Sequence, residues 1–337
     1  MNEHLFSYSW NMSDGYPAKG IEKHGLKVFG AFICGGGSTM GYKLAGYNHL
    51  GGVEIDKRLA EAYNINHNPK YLYSEDIRDF VKRNDLSDEL YNLDILDGSP
   101  PCSTFSMTGK REKDWGKEKI FAEGQKKQRL DDLFFEFVKL TDKLKPKVFI
   151  AENVEGLIIE NARIYVNEIL NQSSAAGYNV QLFLLNSATM GVPQKRKRVF
   201  FIGVRKELSK QPLKLNFNEK PILFKEIHDS ADISISNITD IDKKYWSLAK
   251  QGKPVGKFKS VKKLNYNDVC FTIAASKRHF NPLIMRGLND VEILKCSSFP
   301  LDYNPLKINV NYLCGMSVPP VMMAQISNQI YLQWLKQ

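Results

Sequence analysis

The sequence predicts an α/β protein built on a doubly wound, mostly parallel sheet, with a second, smaller, loop-rich domain. Three observations carry this. Between Lys27 and Arg205, apolar runs of strand length alternate with segments of helical period, which is the rhythm of βαβ units. The first apolar run ends in a glycine turn, Gly35-Gly36-Gly37, just ahead of a helical segment. Beyond about residue 205 the rhythm stops, and lysines, glycines, prolines and asparagines scatter without a period.

Taken in order, residues 27–33 form the first apolar run, 38–45 start a helix, 51–55 form a second strand and 57–66 a helix. Residues 76–83 open another helical stretch, and 93–96 form a strand. Leu130, Leu133, Phe134, Phe137, Val138 and Thr141 recur at helical spacing, so a helix follows. Residues 148–151, 180–185 and 198–204 close the series as strands. The short link between the last two predicts an antiparallel pairing. The final helix, over 321–335, is apolar enough to pack back onto the first domain. The expected division is therefore an N-terminal extension over 1–26, a catalytic domain from 27–205 with 306–337, and a small domain over 206–305.

At 337 residues the chain is long enough for one large core and a small second domain. Its 43% apolar and 25% charged residues exclude disordered and fibrous classes. No apolar stretch approaches the ~20 residues that span a bilayer, and residues 1–14 lack a basic-then-apolar signal pattern. A cytoplasmic monomer with no membrane partner is expected. The net charge of +10 favours a polyanionic partner. Five scattered cysteines, Cys34, Cys102, Cys270, Cys296 and Cys314, contain no Cys-x-x-Cys pair. That argues against a disulfide framework and against a structural metal.

The chemistry gathers where strands end. Pro100-Pro101-Cys102 follows the apolar run of residues 92–99, and the two prolines hold the cysteine on a stiff, non-helical turn. Ligands and reacting groups collect at the carboxyl ends of strands in such sheets. A thiol fixed there reads as a nucleophile, although an isolated cysteine is more often a small buried hydrophobe. Glu152-Asn153-Val154 follows a second strand, and Gln194-Lys195-Arg196-Lys197-Arg198 leads into a third. The glycine turn is not Gly-x-Gly-x-x-Gly, so a dinucleotide is not the first expectation. Glu54 ends the second strand, where an acid holds ribose hydroxyls. That position alone does not separate NAD from S-adenosylmethionine. Asp76 alternatively caps the helix behind it.

Together these blocks, in this order, resemble the cytosine-5 DNA methyltransferases over roughly residues 27–205 and again 281–337. The resemblance implies the S-adenosylmethionine-dependent methyltransferase fold, with the small domain recognising the DNA target. Cys102 would add to carbon-6 of a flipped-out cytosine, with Glu152 and Arg196 neutralising charge on the ring. Phe32 with Gly35, Gly36 and Gly37 would cup the cofactor's methionine, Glu54 with Ile55 its ribose, and Asp76 with Ile77 its adenine. Pro100, Ser317 and Val318 would close that pocket. DNA would meet Ser103, Lys110, Arg111 and Arg198, and in the small domain Lys243, Lys244, Lys257 and Lys259. For Arg198, a structural ion pair is an equal expectation. Residues 103–129 hold eight basic and four acidic residues and would form a lid over the DNA. Double-stranded DNA is thus the expected partner, and a restriction endonuclease the implied genetic companion.

The chain departs from the family pattern at Cys34, where Phe-x-Gly-x-Gly-Gly has its first glycine. It departs again at Ser103, usually glutamine, and at Met316, where Gly-Asn-Ser-Val has asparagine. Two rival readings remain. Cys270-Phe271-Thr272 also marks tRNA cytosine-5 methyltransferases on the same scaffold, but the tyrosine that follows shortly there is missing here. A catalytically inactive DNA-binding regulator is the other, and intact Cys102, Glu152 and Arg196 argue against it.

Overall fold

A computed structural model describes residues 4–101, 132–158, 163–231, 239–255, 258–276 and 279–336. In chain order the strands are β1 (Lys27–Ala31), β2 (Asn48–Val53), β3 (Tyr71–Tyr73), β4 (Ile95–Gly98), β5 (Val148–Val154), β6 (Tyr178–Asn186), β7 (Gln194–Lys195) and β8 (Lys197–Arg205). Three short strands follow, β9 (Pro254–Val255), β10 (Phe258–Lys262) and β11 (Cys270–Phe271). The helices are α1 (Gly37–Leu44), α2 (Lys57–His67), α3 (Ile77–Phe80), α4 (Leu133–Leu144), α5 (Arg163–Ala175), α6 (Phe224–Ile227), α7 (Asp240–Leu248), α8 (Asp290–Cys296), α9 (Val310–Met316) and α10 (Pro320–Ile330).

Seven strands form one sheet in the order β3-β2-β1-β4-β5-β8-β6. The first five pair in parallel, and β8 runs antiparallel to both β5 and β6. The expected doubly wound sheet and its antiparallel ending are both present. Strand order reverses between β1 and β4, so a crevice opens at their carboxyl ends, where such sheets bind ligands. Side chains alternate across β8: Val199 and Phe201 enter one core, Phe200, Ile202 and Val204 the other. A sheet buried on both faces needs apolar residues at every position, which is why these strands read as continuous runs.

One face is covered by α1 and α10, the other by α4 and α5. The crossing of α1 with α10 is close because Gly41 has no side chain: a Cβ there would lie 2.5 Å from the Pro320 carbonyl oxygen. The Asp56 side chain caps α2 by accepting from the Arg58 amide at 2.9 Å, satisfying one orphan donor of its first turn. The helical stretch expected over 76–83 is shorter: only Ile77–Phe80 is helical, with Asp76 as its cap. The strand Tyr71–Tyr73 and the helix Arg163–Ala175 add to the elements expected from sequence.

The N-terminal extension is part of the fold. Phe6 and Trp10 are buried in the same core as α10, and the Trp10 indole donates to the Ser298 carbonyl at 3.0 Å. Residues of the 206–305 region, among them Leu213, Phe224, Leu264 and Phe299, also join that core. Within it, Glu292 is fully buried and accepts from Arg286 at 2.7 and 3.1 Å, with His228 at 3.0 Å. Among the described residues, no helix is long and apolar enough to cross a membrane.

Candidate active site

Four carboxyl-end segments converge beside the switch point. After β1 the chain turns through Phe32 and Cys34, both in the left-handed region (φ 58° and 48°). Cys34 occupies a position where glycine costs least, and an L-residue there is strained by ~1–2 kcal/mol. The turn is held by Glu54, just past β2, whose carboxylate accepts from the Cys34 amide at 2.9 Å and the Asp56 amide at 2.9 Å. Burial pushes the Glu54 carboxyl up to about 7, although those two donors pull the other way. Ile55 is half-buried beside it, and Ile77 is buried next to half-buried Asp76. Asp76 itself accepts from the Arg78 amide at 2.9 Å and pairs with its guanidinium at 3.0 Å.

The glycine turn lies under the C-terminal block. A Cβ on Gly35 would meet Leu313, one on Gly36 would meet His67, and one on Gly37 would come within 2.2 Å of the Val318 carbonyl. These glycines therefore admit other parts of the protein, the close approach of α9 and the following Ser317-Val318 in particular. Ser317 Oγ donates to the Leu313 carbonyl at 2.8 Å and to Cys34 Sγ at 3.6 Å. Met316 is half-exposed, so the tie from this block to the turn comes from its neighbour Ser317 instead of the usual asparagine.

Between the turn, α1, β4 and residues 316–318 lies a narrow cleft. It is lined by Phe32, Cys34, Ser38, Thr39, Asp97, Ser99, Ser317 and Val318, with no Lys, Arg or His. Asp97 was missed by sequence reasoning. The signal was available: an acid inside the apolar run Ile95-Leu96 of a parallel strand buried on both faces has to be matched by a donor or a ligand.

At the end of β4, Ser99 and buried Pro100 lead to Pro101, the last residue described before Cys102. The Asn153 side chain donates to the Pro100 carbonyl at 3.2 Å and accepts from the Val154 amide at 2.9 Å. Asn153 thereby ties the segment after β4 to β5. Cys102, Ser103, Lys110, Arg111 and Lys257 lie outside the described residues, as does the side chain of Lys259 on β10. Lys243 and Lys244 are exposed on α7, and Lys243 pairs with Asp240 at 2.9 Å.

The two arginines of the basic block have different surroundings, and Arg196 departs from expectation. Arg196 was expected to offer its guanidinium to Glu152 or a base oxygen. It is buried and donates to three main-chain carbonyls, those of Ile273, Gly315 and Ser317, each at 3.0 Å. It sits in the break between β7 and β8, where β7 leaves the main sheet to pair with β11. Burial, then the nearby Arg198 charge, lowers its guanidinium to about 9. Arg198, for which a DNA contact and a structural ion pair were equal expectations, forms the ion pair: its Nε lies 2.8 Å from Glu152 Oε1. Sheet register explains this: Val154 lies opposite Arg198 and Glu152 opposite Phe200, so Glu152 and Arg198 are diagonal neighbours on one face. The charge partner of Glu152 is therefore Arg198.

The C-5 cytosine-specific DNA methylase family profile matches residues 27–269. The type II methyltransferase M.Sau96I of Staphylococcus aureus is 35% identical over 214 residues, covering 63% of this chain and 46% of that protein. The type II methyltransferase M.FnuDI of Fusobacterium nucleatum is 33% identical over 211 residues, covering 61% of this chain and 56% of that protein. The chain thus spans about half the length of these relatives. Among solved structures, a prophage-encoded E. coli protein described as a DNA modification methyltransferase superposes with a TM-score of 0.72 at 20% identity, covering 93% of this chain and 100% of that one. Spodoptera frugiperda DNMT2 follows with 0.63 at 16% identity, covering 91% and 99%. These last two show the fold. With a profile spanning well over half its length, on a sheet whose strand ends carry Glu54, Pro100 and the Glu152–Arg198 pair, the chain belongs to the C-5 cytosine-specific DNA methylase family.

Proposed function

We propose that this chain is a sequence-specific DNA methyltransferase that moves a methyl group from S-adenosylmethionine to carbon-5 of a flipped-out cytosine. The observation that carries this reading is one juxtaposition. The Pro100 carbonyl, two residues before Cys102 in the sequence, is held by Asn153 next to Glu152, the partner of Arg198. Ser99 and Asp97 of the same segment line a cleft of acidic character. The cleft suits a cofactor bearing a sulfonium and an ammonium. It would repel the pyrophosphate of a dinucleotide, because it offers a carboxylate and no cation. Phe32 and Gly35–Gly37 would bound the methionine end, Glu54 and Ile55 the ribose, Asp76 and Ile77 the adenine. Pro100, Ser317 and Val318 would complete the walls. When bound, S-adenosylmethionine supplies an electrophilic methyl group.

The chain's own residues prepare the base. A thiolate of Cys102 adds to carbon-6, and the ring becomes electron-rich at carbon-5. A proton shared between Glu152 and nitrogen-3 and the Arg198 guanidinium beside the neighbouring oxygen offset the charge pushed into the ring. After methyl transfer, water or hydroxide would take the carbon-5 proton, and the electron pair of that bond would expel the Cys102 thiolate from carbon-6. The base is reached only after extrusion from the duplex; the lid expected over residues 103–129 lies outside the described residues. Target recognition is assigned to residues 206–305, with lysines 243, 244, 257 and 259 contacting phosphates, which position without specifying. The names of the relatives favour a restriction–modification setting, with an endonuclease as genetic companion.

Bisulfite sequencing of DNA from cells expressing the chain should show one methylated cytosine context. Methyl transfer to total tRNA instead of duplex DNA would favour the tRNA reading. The cofactor part makes a separate demand. Glu54→Ala should weaken S-adenosylmethionine binding about tenfold or more, the loss of charge-assisted hydrogen bonds worth ~1.5–3 kcal/mol, while DNA affinity stays unchanged. Because the carboxyl titrates near 7, wild-type cofactor affinity should fall as pH drops from 8 to 6. Equal calorimetric affinity of the Glu54→Ala protein would remove Glu54 from the site.

A further inference from the structure

We propose that Asp97 anchors the cationic ammonium group of the cofactor's amino-acid moiety. This rests on reading the cleft as an S-adenosylmethionine site and adds a residue to it. Asp97 is 4% exposed, lines the cleft, and accepts from the Tyr42 hydroxyl at 3.1 Å and from Ser38. Both donors are neutral. Among the described residues no cation pairs with it, and a buried carboxylate without a counter-charge is costly. Tyr42 and Ser38 hold it from α1, leaving the charge to be met from the cleft.

Its place in the sheet fits the cofactor's length. Asp97 lies opposite Gly30, and β1 separates it from β2, which ends one residue before Glu54. Two strand spacings, roughly 9.5 Å, separate the ends of β2 and β4. With the ribose at Glu54, the amino-acid arm, running through sulfur and two methylenes, extends across β1 to β4. The arm's positive end then meets the one acid in the lining of the cleft. The hydroxyls of Ser38, Thr39, Ser99 and Ser317 share that lining and can serve the carboxylate at the same end.

Titration follows from the surroundings. Burial, and after it the negative charge of Glu152 on β5, pushes Asp97 up to about 7 against the Tyr42 and Ser38 hydrogen bonds. Tyr42 stays protonated far above that range, and burial holds the Cys34 thiol on the turn at about 12. Asp97 thus loses its charge, and its hold on a cation, as pH falls through about 7. Glu54 titrates at a similar pH, so wild type alone does not separate the two. Ligands that differ only at the amino-acid arm do.

Calorimetry with S-adenosylmethionine, S-adenosylhomocysteine and 5′-methylthioadenosine makes the test. At pH 8, Asp97→Asn should weaken the first two by about tenfold or more. It should leave 5′-methylthioadenosine, which has the ribose but no ammonium, within about twofold. Asp97→Asn should also remove the part of the pH dependence that wild type shows for S-adenosylhomocysteine beyond its dependence for 5′-methylthioadenosine. Tyr42→Phe keeps the carboxyl but loses a donor to its charged form, and should move the midpoint of that extra dependence upward. Equal loss for all three ligands would make Asp97 a support of α1 and overturn the proposal. Loss for S-adenosylmethionine alone would assign the sulfonium instead and overturn it as well. If Asp97→Asn does not fold, an unmoved midpoint in Tyr42→Phe overturns it independently. A wild-type protein that binds neither S-adenosyl ligand would refute the cofactor reading itself, a result distinct from all of these.

Discussion

Cys102→Ser should abolish methyl transfer while leaving the fold and cofactor affinity intact. A thiol gives a nucleophilic anion within reach of neutral pH, whereas a serine hydroxyl has no such fraction without a strong adjacent base. Removal of a nucleophile registers as a loss on the order of 10³–10⁶-fold. The wild-type protein should form a denaturant-stable adduct with duplexes carrying 5-fluorocytosine, because fluorine cannot leave in the final elimination. Asn153 contributes by holding the Pro100 carbonyl two residues ahead of the nucleophile. An adduct formed equally well by the Cys102→Ser protein would show that another residue attacks the base.

The second large effect separates the two arginines. Arg198→Ala should lower the rate per folded molecule by ~10²–10³, the scale of one lost charge-stabilising donor, in addition to the stability lost by leaving buried Glu152 without its partner. Arg198→Lys should recover only part of it, since a single ammonium does not reproduce the guanidinium fork. Arg196→Ala should act on stability. It strips donors from the carbonyls of Ile273, Gly315 and Ser317, and unsatisfied buried groups cost ~1–3 kcal/mol each. The melting temperature should fall by at least about 5 °C, with the rate per folded molecule changed far less. If the roles came out reversed, so that Arg196→Ala melts like wild type and is inactive, the assignment made from the Glu152 contact would be wrong.

The arginine pair shows where sequence reading reached its limit. Both lie in one block, two residues apart, and spacing alone puts them on the same side of a strand. The strand breaks at Arg196, because Gln194 and Lys195 pair with Cys270 and Phe271, and only Arg198 shares a sheet face with Glu152. A pairing between segments more than 70 residues apart leaves no local mark. The main strands were legible because a sheet covered on both faces demands unbroken apolar runs. The helix Arg163–Ala175 buries only Tyr165, Val166, Ile169 and Ser173, too thin a stripe to stand out, and Tyr71–Tyr73 is a three-residue edge. Asp97 stands in the sequence as an acid within an apolar run, but only the fold places it against Tyr42 and in the lining of the cleft. Phe6 and Trp10 precede any periodic segment, so their part in the core emerged only from the fold.

The contact between Ser317 and Cys34 joins positions 283 residues apart, and this sets an order of events during synthesis. At ~5–20 residues per second, a ribosome would finish the glycine turn roughly 15–60 s before residue 317 is made. Until then the cleft has one wall, and the face of α1 that α10 later covers, with Met40 and Leu44, has nothing to bury it. Nascent chains should lean on chaperones through that interval. Chains arrested at residue 300 should retain no S-adenosylmethionine on the ribosome, whereas arrested chains long enough to clear residue 330 from the exit tunnel should retain it. Competence to bind the cofactor would then arrive in one step, when residues 310–330 close over the turn at residues 32–37.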